Sequence, residues 1–180
     1  MNATIRALAL TGSFLLLMIA AGCTVRPMLA ENTPGAAGQE TAAELNSVSV
    51  APVSTRFAQQ VRNHLVFLLH GGASEPANPE YRLNLTVARS VSSSVQIQRG
   101  SENEPTAGTV TLTGRYSLTD SATGKEMGNG TQRVSAFFDR PPQEFAVLRA
   151  QRDAEDRAAR ELAEFIHLAV AQDLARLDAR

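Results

Sequence analysis

The chain has 180 residues, 43% of them hydrophobic and 5% aromatic, which supports one modest core plus an extra segment. Its formal net charge is -1, from 17 basic against 18 acidic residues, so bulk charge selects neither nucleic acid nor a strongly anionic surface. Lys125 is the only lysine. Almost all positive charge is therefore guanidinium, which grips phosphate or carboxylate through two parallel hydrogen bonds.

The N-terminus carries a targeting pattern. Arg6 gives a positive start, Leu8 to Ala21 an apolar stretch, and Ala20, Ala21 and Gly22 the small residues of a cleavage site. The stretch Ala7 to Gly22 is short of the roughly 20 apolar residues of a membrane span. It ends at Cys23, the only cysteine, which cannot form an internal disulfide. The sequence IAAGC at 19–23 resembles a bacterial lipobox, with Ala20 at the position where Leu is preferred. That resemblance makes Cys23 the first mature residue and the attachment point for acyl chains. Several chains anchor firmly where one binds only marginally. Thr24 follows the cysteine; Asp there would resemble an inner-membrane retention signal, so the outer membrane is expected.

Residues 1–22 are thus read as a lipoprotein signal peptide and 23–43 as lipidated cysteine and flexible tether. AENTPGAAGQETAA at 30–43 offers nothing to bury. A folded domain is expected over 44–178.

LNSVSVAPV (45–53) predicts a short strand, with Pro52 at its end or edge. STRFAQQVRNHLVFLLH (54–70) places Phe57, Val61, Leu65 and Leu68 at helical spacing. Ser54 or Thr55 can cap its start and Gly71–Gly72 can close it in a left-handed turn. Its last turn, Val66 to Leu69, is apolar all round and requires cover. His64 and His70 lack partner ligands at useful spacing and read as structural.

After a Pro-rich turn, Tyr81, Leu83, Leu85 and Val87 alternate with Arg82, Asn84 and Thr86, the mark of a half-buried antiparallel strand. The parity continues through Val91, Val95 and Ile97, with a break expected at Ser92–Ser94, and RGSENEPTAG (99–108) reads as a polar loop. Val110, Leu112, Tyr116 and Leu118 form the buried parity of the next strand, where Gly114 marks a bulge or close approach. A hairpin connection begins at 121, and Val134, Ala136 and Phe138 share one face of a further strand. From Pro142 one long helix runs to about residue 177, with Phe145, Leu148, Ala159, Leu162, Ile166, Ala169 and Val170 near one face.

The expected fold is α+β: a two-layer sandwich in the order β-α-β-β-β-α, with two helices on a four-stranded, mostly antiparallel sheet. Its other face presents Thr, Ser, Asn and Arg. No GxSxG, HExxH, GxxxxGK[ST] or GxGxxG pattern is present, and the single thiol serves the anchor. The expectation is no catalytic residue, no metal, no cofactor and no nucleic-acid partner.

TVRPM after the cysteine, FAQQVRNHLVFLL (57–69), EPTAGTVTLTGRYSLTD (104–120) and DRPPQEFAVLRAQRDAEDRAARELAEFI (139–166) together resemble the LPS-assembly lipoprotein family LptE in its alphaproteobacterial form. The resemblance spans nearly the whole mature chain. It implies residence inside the large outer-membrane β-barrel LptD, on the periplasmic side, as plug and assembly chaperone. It also implies direct binding of lipopolysaccharide and help in its delivery to the outer leaflet. Family members use basic residues near strand ends and loops for that binding. The candidates here are Arg89 and Arg99 at the end of the long strand, and Arg115, Lys125 and Arg133 in the meander. Two rivals stand beside this reading: an auxiliary lipoprotein of a lipid-trafficking ABC transporter, and a lipid-anchored envelope hydrolase.

Overall fold

The computed structural model describes residues 43–99 and 102–178, and within them the side chains of 93–105 and of 178 are not described. The signal segment, Cys23 and the tether to residue 42 lie outside the described residues. After a short helical turn at 43–46 come β1 (Val48–Val50), α1 (Arg56–His70), β2 (Tyr81–Arg99), β3 (Glu102–Asp120), β4 (Glu126–Asp139) and α2 (Glu144–Asp178). This is the expected β-α-β-β-β-α order.

The strands lie side by side in chain order. β2, β3 and β4 form an antiparallel meander, in register at Leu83↔Leu118, Leu85↔Tyr116 and Leu112↔Val134. β1 pairs parallel to β2 (Val48↔Tyr81, Val50↔Leu83), which requires a crossover, and α1 supplies it. Thr55 caps α1, its hydroxyl accepting from the Ala58 N–H at 3.4 Å, and Gly71 ends it at φ +58°.

Both helices cover one sheet face. The predicted strand parities point there: Tyr81, Leu83, Leu85, Val110, Leu112, Tyr116, Leu118, Val134, Ala136 and Phe138 are all buried. Fully burying each Leu or Val contributes about 1.5–3 kcal/mol. Buried alanines at 154, 158, 159, 163 and 171 let α2 lie close to its neighbours. Gly114 serves that close approach and no bulge: a Cβ there would stand 3.0 Å from Ile166 Cδ1 and 3.3 Å from Leu162 Cδ2. The β2–β3 ladder shifts register on either side of Val95, beside the break expected at Ser92–Ser94.

Three expectations are corrected. The polar stretch 99–108 is not a loop: the backbone of β2 runs to Arg99 and that of β3 starts at Glu102, making a long two-stranded arm. The buried stripe of α1 is Ala58, Val61, Leu65 and Leu69, turned slightly from the predicted 57/61/65/68, so Phe67 of the all-apolar last turn stays exposed. At the start of α2, Phe145 and Leu148 are 70% and 52% exposed and do not belong to the core stripe, whereas Val147 and Ala150 of the same turns pack against the core.

The β1 edge is closed by side chains. Arg62 donates to the Val50 carbonyl at 3.1 Å (Nε) and 2.9 Å (Nη2), and Glu75 accepts from the Val50 N–H at 3.2 Å. Arg62 and Glu75 also pair with each other. An edge so occupied is a poor template for another strand. At the β3–β4 turn, Asp120 accepts from the Thr123 N–H at 2.7 Å, its hydroxyl at 2.8 Å and the Ala122 N–H at 3.0 Å. The Thr123 backbone bond is the main cause holding the Asp120 carboxyl below its ordinary pKa.

Candidate functional site

Because strand side chains alternate, covering one sheet face fixes what stands on the other. The open face carries Arg82, Asn84, Thr86 and Ser90 from β2, the odd-numbered residues Thr109 to Thr119 from β3, and Thr131, Arg133, Ser135 and Phe137 from β4. Hydroxyls bridge the strands, as in Thr111 Oγ1 to Ser135 Oγ at 2.8 Å.

Two of the five basic candidates meet here. Arg115 is opposite Thr86 and Thr131, and Arg133 is opposite Thr113, so the two guanidiniums sit diagonally on adjacent strands. Neither has a carboxylate partner among the described residues. Two unpaired guanidiniums among hydroxyls form a local anion-attracting field, which is weak for any one exposed charge and larger in sum. Lys125 is exposed in the β3–β4 turn at the end of the sheet. Arg99 closes β2 in the long arm, and its side chain lies outside the described residues.

Arg89 is on the opposite, helix-covered face. Its guanidinium pairs with Glu155 and stands 5.4 Å from the centroid of the Phe57 ring. Glu155 is buried at 4% exposure and also takes Arg56 Nη1 at 3.2 Å and Gln151 Nε2 at 3.1 Å. Arg56 continues to Asp156 at 2.9 and 3.1 Å. This hub ties α1, β2 and α2 together. Sequence reasoning missed Glu155, although it left a signal: Glu155, Ala159, Leu162 and Ile166 share one helical stripe, which puts a lone carboxylate on the apolar face.

His70 is buried in the last turn of α1 and His64 is half-buried further up the same helix. Among the described residues no group of three His, Cys, Asp or Glu is placed to hold a metal ion, and no helix is long and apolar enough to cross a membrane.

A two-layer α+β domain with one buried and one hydroxyl- and arginine-bearing sheet face is the class this geometry defines. A family model described as LptE, lipopolysaccharide-assembly, matches residues 45–170, and the chain belongs to that family. Among solved structures, a Caulobacter crescentus chain described as a lipoprotein is similar at TM-score 0.61 and 26% identity, over 76% of this chain and 97% of that one. The rare lipoprotein B of Shewanella oneidensis shares the fold at TM-score 0.54 and 13% identity, over 73% of this chain and 96% of that one. Comparison with curated proteins gives no match.

Proposed function

We propose that this protein is an outer-membrane lipoprotein, held on the periplasmic side through acylated Cys23, that plugs and helps assemble an LptD-type β-barrel and assists lipopolysaccharide delivery to the outer leaflet. Membership of the lipopolysaccharide-assembly family over residues 45–170 carries this reading. The uncovered sheet face suits a wet lumen: its Thr, Ser and Arg side chains keep their hydrogen bonds to water or to polar groups of a barrel interior.

In this reading residues 1–22 are removed, 23–43 tether the domain, and the domain begins at 44. Arg115 and Arg133, with Lys125 at the turn and Arg99 in the arm, contact anionic groups of the transported glycolipid. Arg89 is the least available of the five, since Glu155 and Phe57 already hold it. The role is one of binding and assembly, without a catalytic step.

The anchor is tested by mass spectrometry of the mature protein and by membrane fractionation of Cys23→Ser. The expected result is a diacylglycerol thioether at Cys23 and loss of outer-membrane retention in the variant. A mature chain that starts elsewhere, or that fractionates with the inner membrane, would contradict the reading.

A further inference from the structure

The first turns of α2 leave two large apolar side chains, Phe145 and Leu148, in solvent. Beside them runs a cleft of about 400 Å³ lined by both, by Arg56, Arg149 and Arg152, and by two acidic residues. Those acids are already engaged: Asp153 with Arg157 at 2.9 Å, and Asp156 with Arg56 at 2.9 Å. Arg149 and Arg152 have no carboxylate partner among the described residues. The Arg149 guanidinium stands 5.9 Å from the Phe145 ring centroid, so a cation and an apolar surface are presented together. Phe145, Leu148, Arg149 and Arg152 follow one another at three- and four-residue spacing on α2, so two positive groups without a carboxylate partner and exposed hydrocarbon stand interleaved on one wall of the cleft.

We infer that this cleft is a binding site for an amphiphile with an anionic head group, phosphate or carboxylate, seated on Arg149 and Arg152, and with its acyl chain along Phe145 and Leu148. Either half alone gives little. An exposed arginine pair attracts any anion weakly, and an exposed apolar pair has no preference in head group. Together they select a molecule with both parts. A guanidinium loses little on leaving water compared with an ammonium and pairs bidentately with either anion. The identity of the natural lipid rests on the lipopolysaccharide-assembly reading; the site's chemistry does not.

The full mature chain, purified in dodecyl maltoside, would be titrated calorimetrically with dodecyl phosphate, dodecyl trimethylammonium and inorganic phosphate. Dodecyl phosphate is expected to bind about tenfold or more tightly than either of the others. Arg149→Gln/Arg152→Gln and Phe145→Ser/Leu148→Ser should each weaken it about tenfold, a change of about 1.4 kcal/mol. Arg160→Gln, an exposed arginine further along the helix, should leave it unchanged. All variants are checked for native circular dichroism and melting, and all substituted side chains are exposed. Unchanged binding in R149Q/R152Q, equal loss in R160Q, or inorganic phosphate binding as tightly as dodecyl phosphate would overturn the inference. A photo-crosslinker at Leu148 that captures protein and no lipid in native membranes would also overturn it. Retained dodecyl phosphate binding without any barrel partner would refute the proposed function alone, and the reverse would refute the site alone.

Discussion

The Tyr116 hydroxyl donates to Asp173 Oδ2 at 2.8 Å inside the core, joining the middle of β3 to the last turns of α2. Asp173 is nearly buried, and Arg176 takes its other oxygen at 3.1 Å. A carboxylate at such a depth needs protein donors to replace the water it has lost. Tyr116→Phe removes one donor and leaves the rest of the ring in place. The expected loss is about 1–3 kcal/mol by urea unfolding, the cost of an unsatisfied buried acceptor.

The same pair predicts an alkaline effect. Burial, then the hydrogen bond to Asp173 and its negative charge, push the Tyr116 pKa well above its ordinary value. The folded state therefore holds this proton more tightly than the unfolded chain. Its stabilising contribution is complete below about pH 10, the unfolded value, and is lost progressively as pH rises above it. Urea midpoints of wild type and Tyr116→Phe should converge above that pH and differ below it.

Glycines on β4 make room for this pair. A Cβ at Gly130 would stand 2.7 Å from Tyr116 Cε1, and one at Gly128 would stand 2.6 Å from Asp173 Cγ. Gly130→Ala is expected to destabilise by about 1–3 kcal/mol through overpacking. Combined with Tyr116→Ala, which removes the ring, the added cost of the alanine should vanish. Equal cost in both backgrounds, read as a double-mutant cycle, would show that the ring is not what excludes the side chain.

The Glu155 hub predicts unequal losses. Breaking a fully buried pair costs about 3–5 kcal/mol. Here the Arg56 and Arg89 side chains are 47% and 38% exposed, so screening lowers the figure for Glu155→Gln to about 1–3 kcal/mol. Arg56→Gln should cost less, since Arg89 and Gln151 still serve the carboxylate. A cycle between positions 89 and 155 should show coupling, and one between 89 and 153 none.

Arg89 and Glu155 also show how much was legible in the sequence. Alternation named the buried parity of β2, β3 and β4, since only one face of the meander is covered and the period is two. The same parity carries Arg89 onto the covered face, although the sequence reading offered it as a glycolipid contact, and the 155/159/162/166 stripe carried a signal for Glu155 that the reading missed. Other features have no local signature. β1 pairs parallel with β2 because α1 carries the chain back, and three residues of VSV do not encode their neighbour. RGSENEPTAG alternates poorly and holds Gly and Pro, so its strand pairing is not written in its own pattern. Phe145 and Leu148 keep helical spacing with the core, but spacing alone does not say that Val147 and Ala150 are the residues of these turns that meet it. Of the candidate site, the period showed that Arg115 and Arg133 share the open face, whereas their diagonal placement needed the register.

His167 gives an acid-side prediction. Burial lowers its pKa below the ordinary imidazole value, so the folded state prefers it neutral. As pH falls below about 6.5 the unfolded chain takes up a proton that the folded chain resists, and stability is lost through that window. His167→Leu should lose less stability than wild type between neutral and mildly acidic pH. Parallel losses would assign the acid sensitivity to other groups.

The central claim, a lipoprotein seated in a large outer-membrane barrel, is tested most directly by mild-detergent purification of the tagged protein from native membranes, with mass spectrometry of its partners. The account predicts a large β-barrel at near one-to-one stoichiometry. Recovery of inner-membrane transporter subunits, or of no barrel at all, would contradict it.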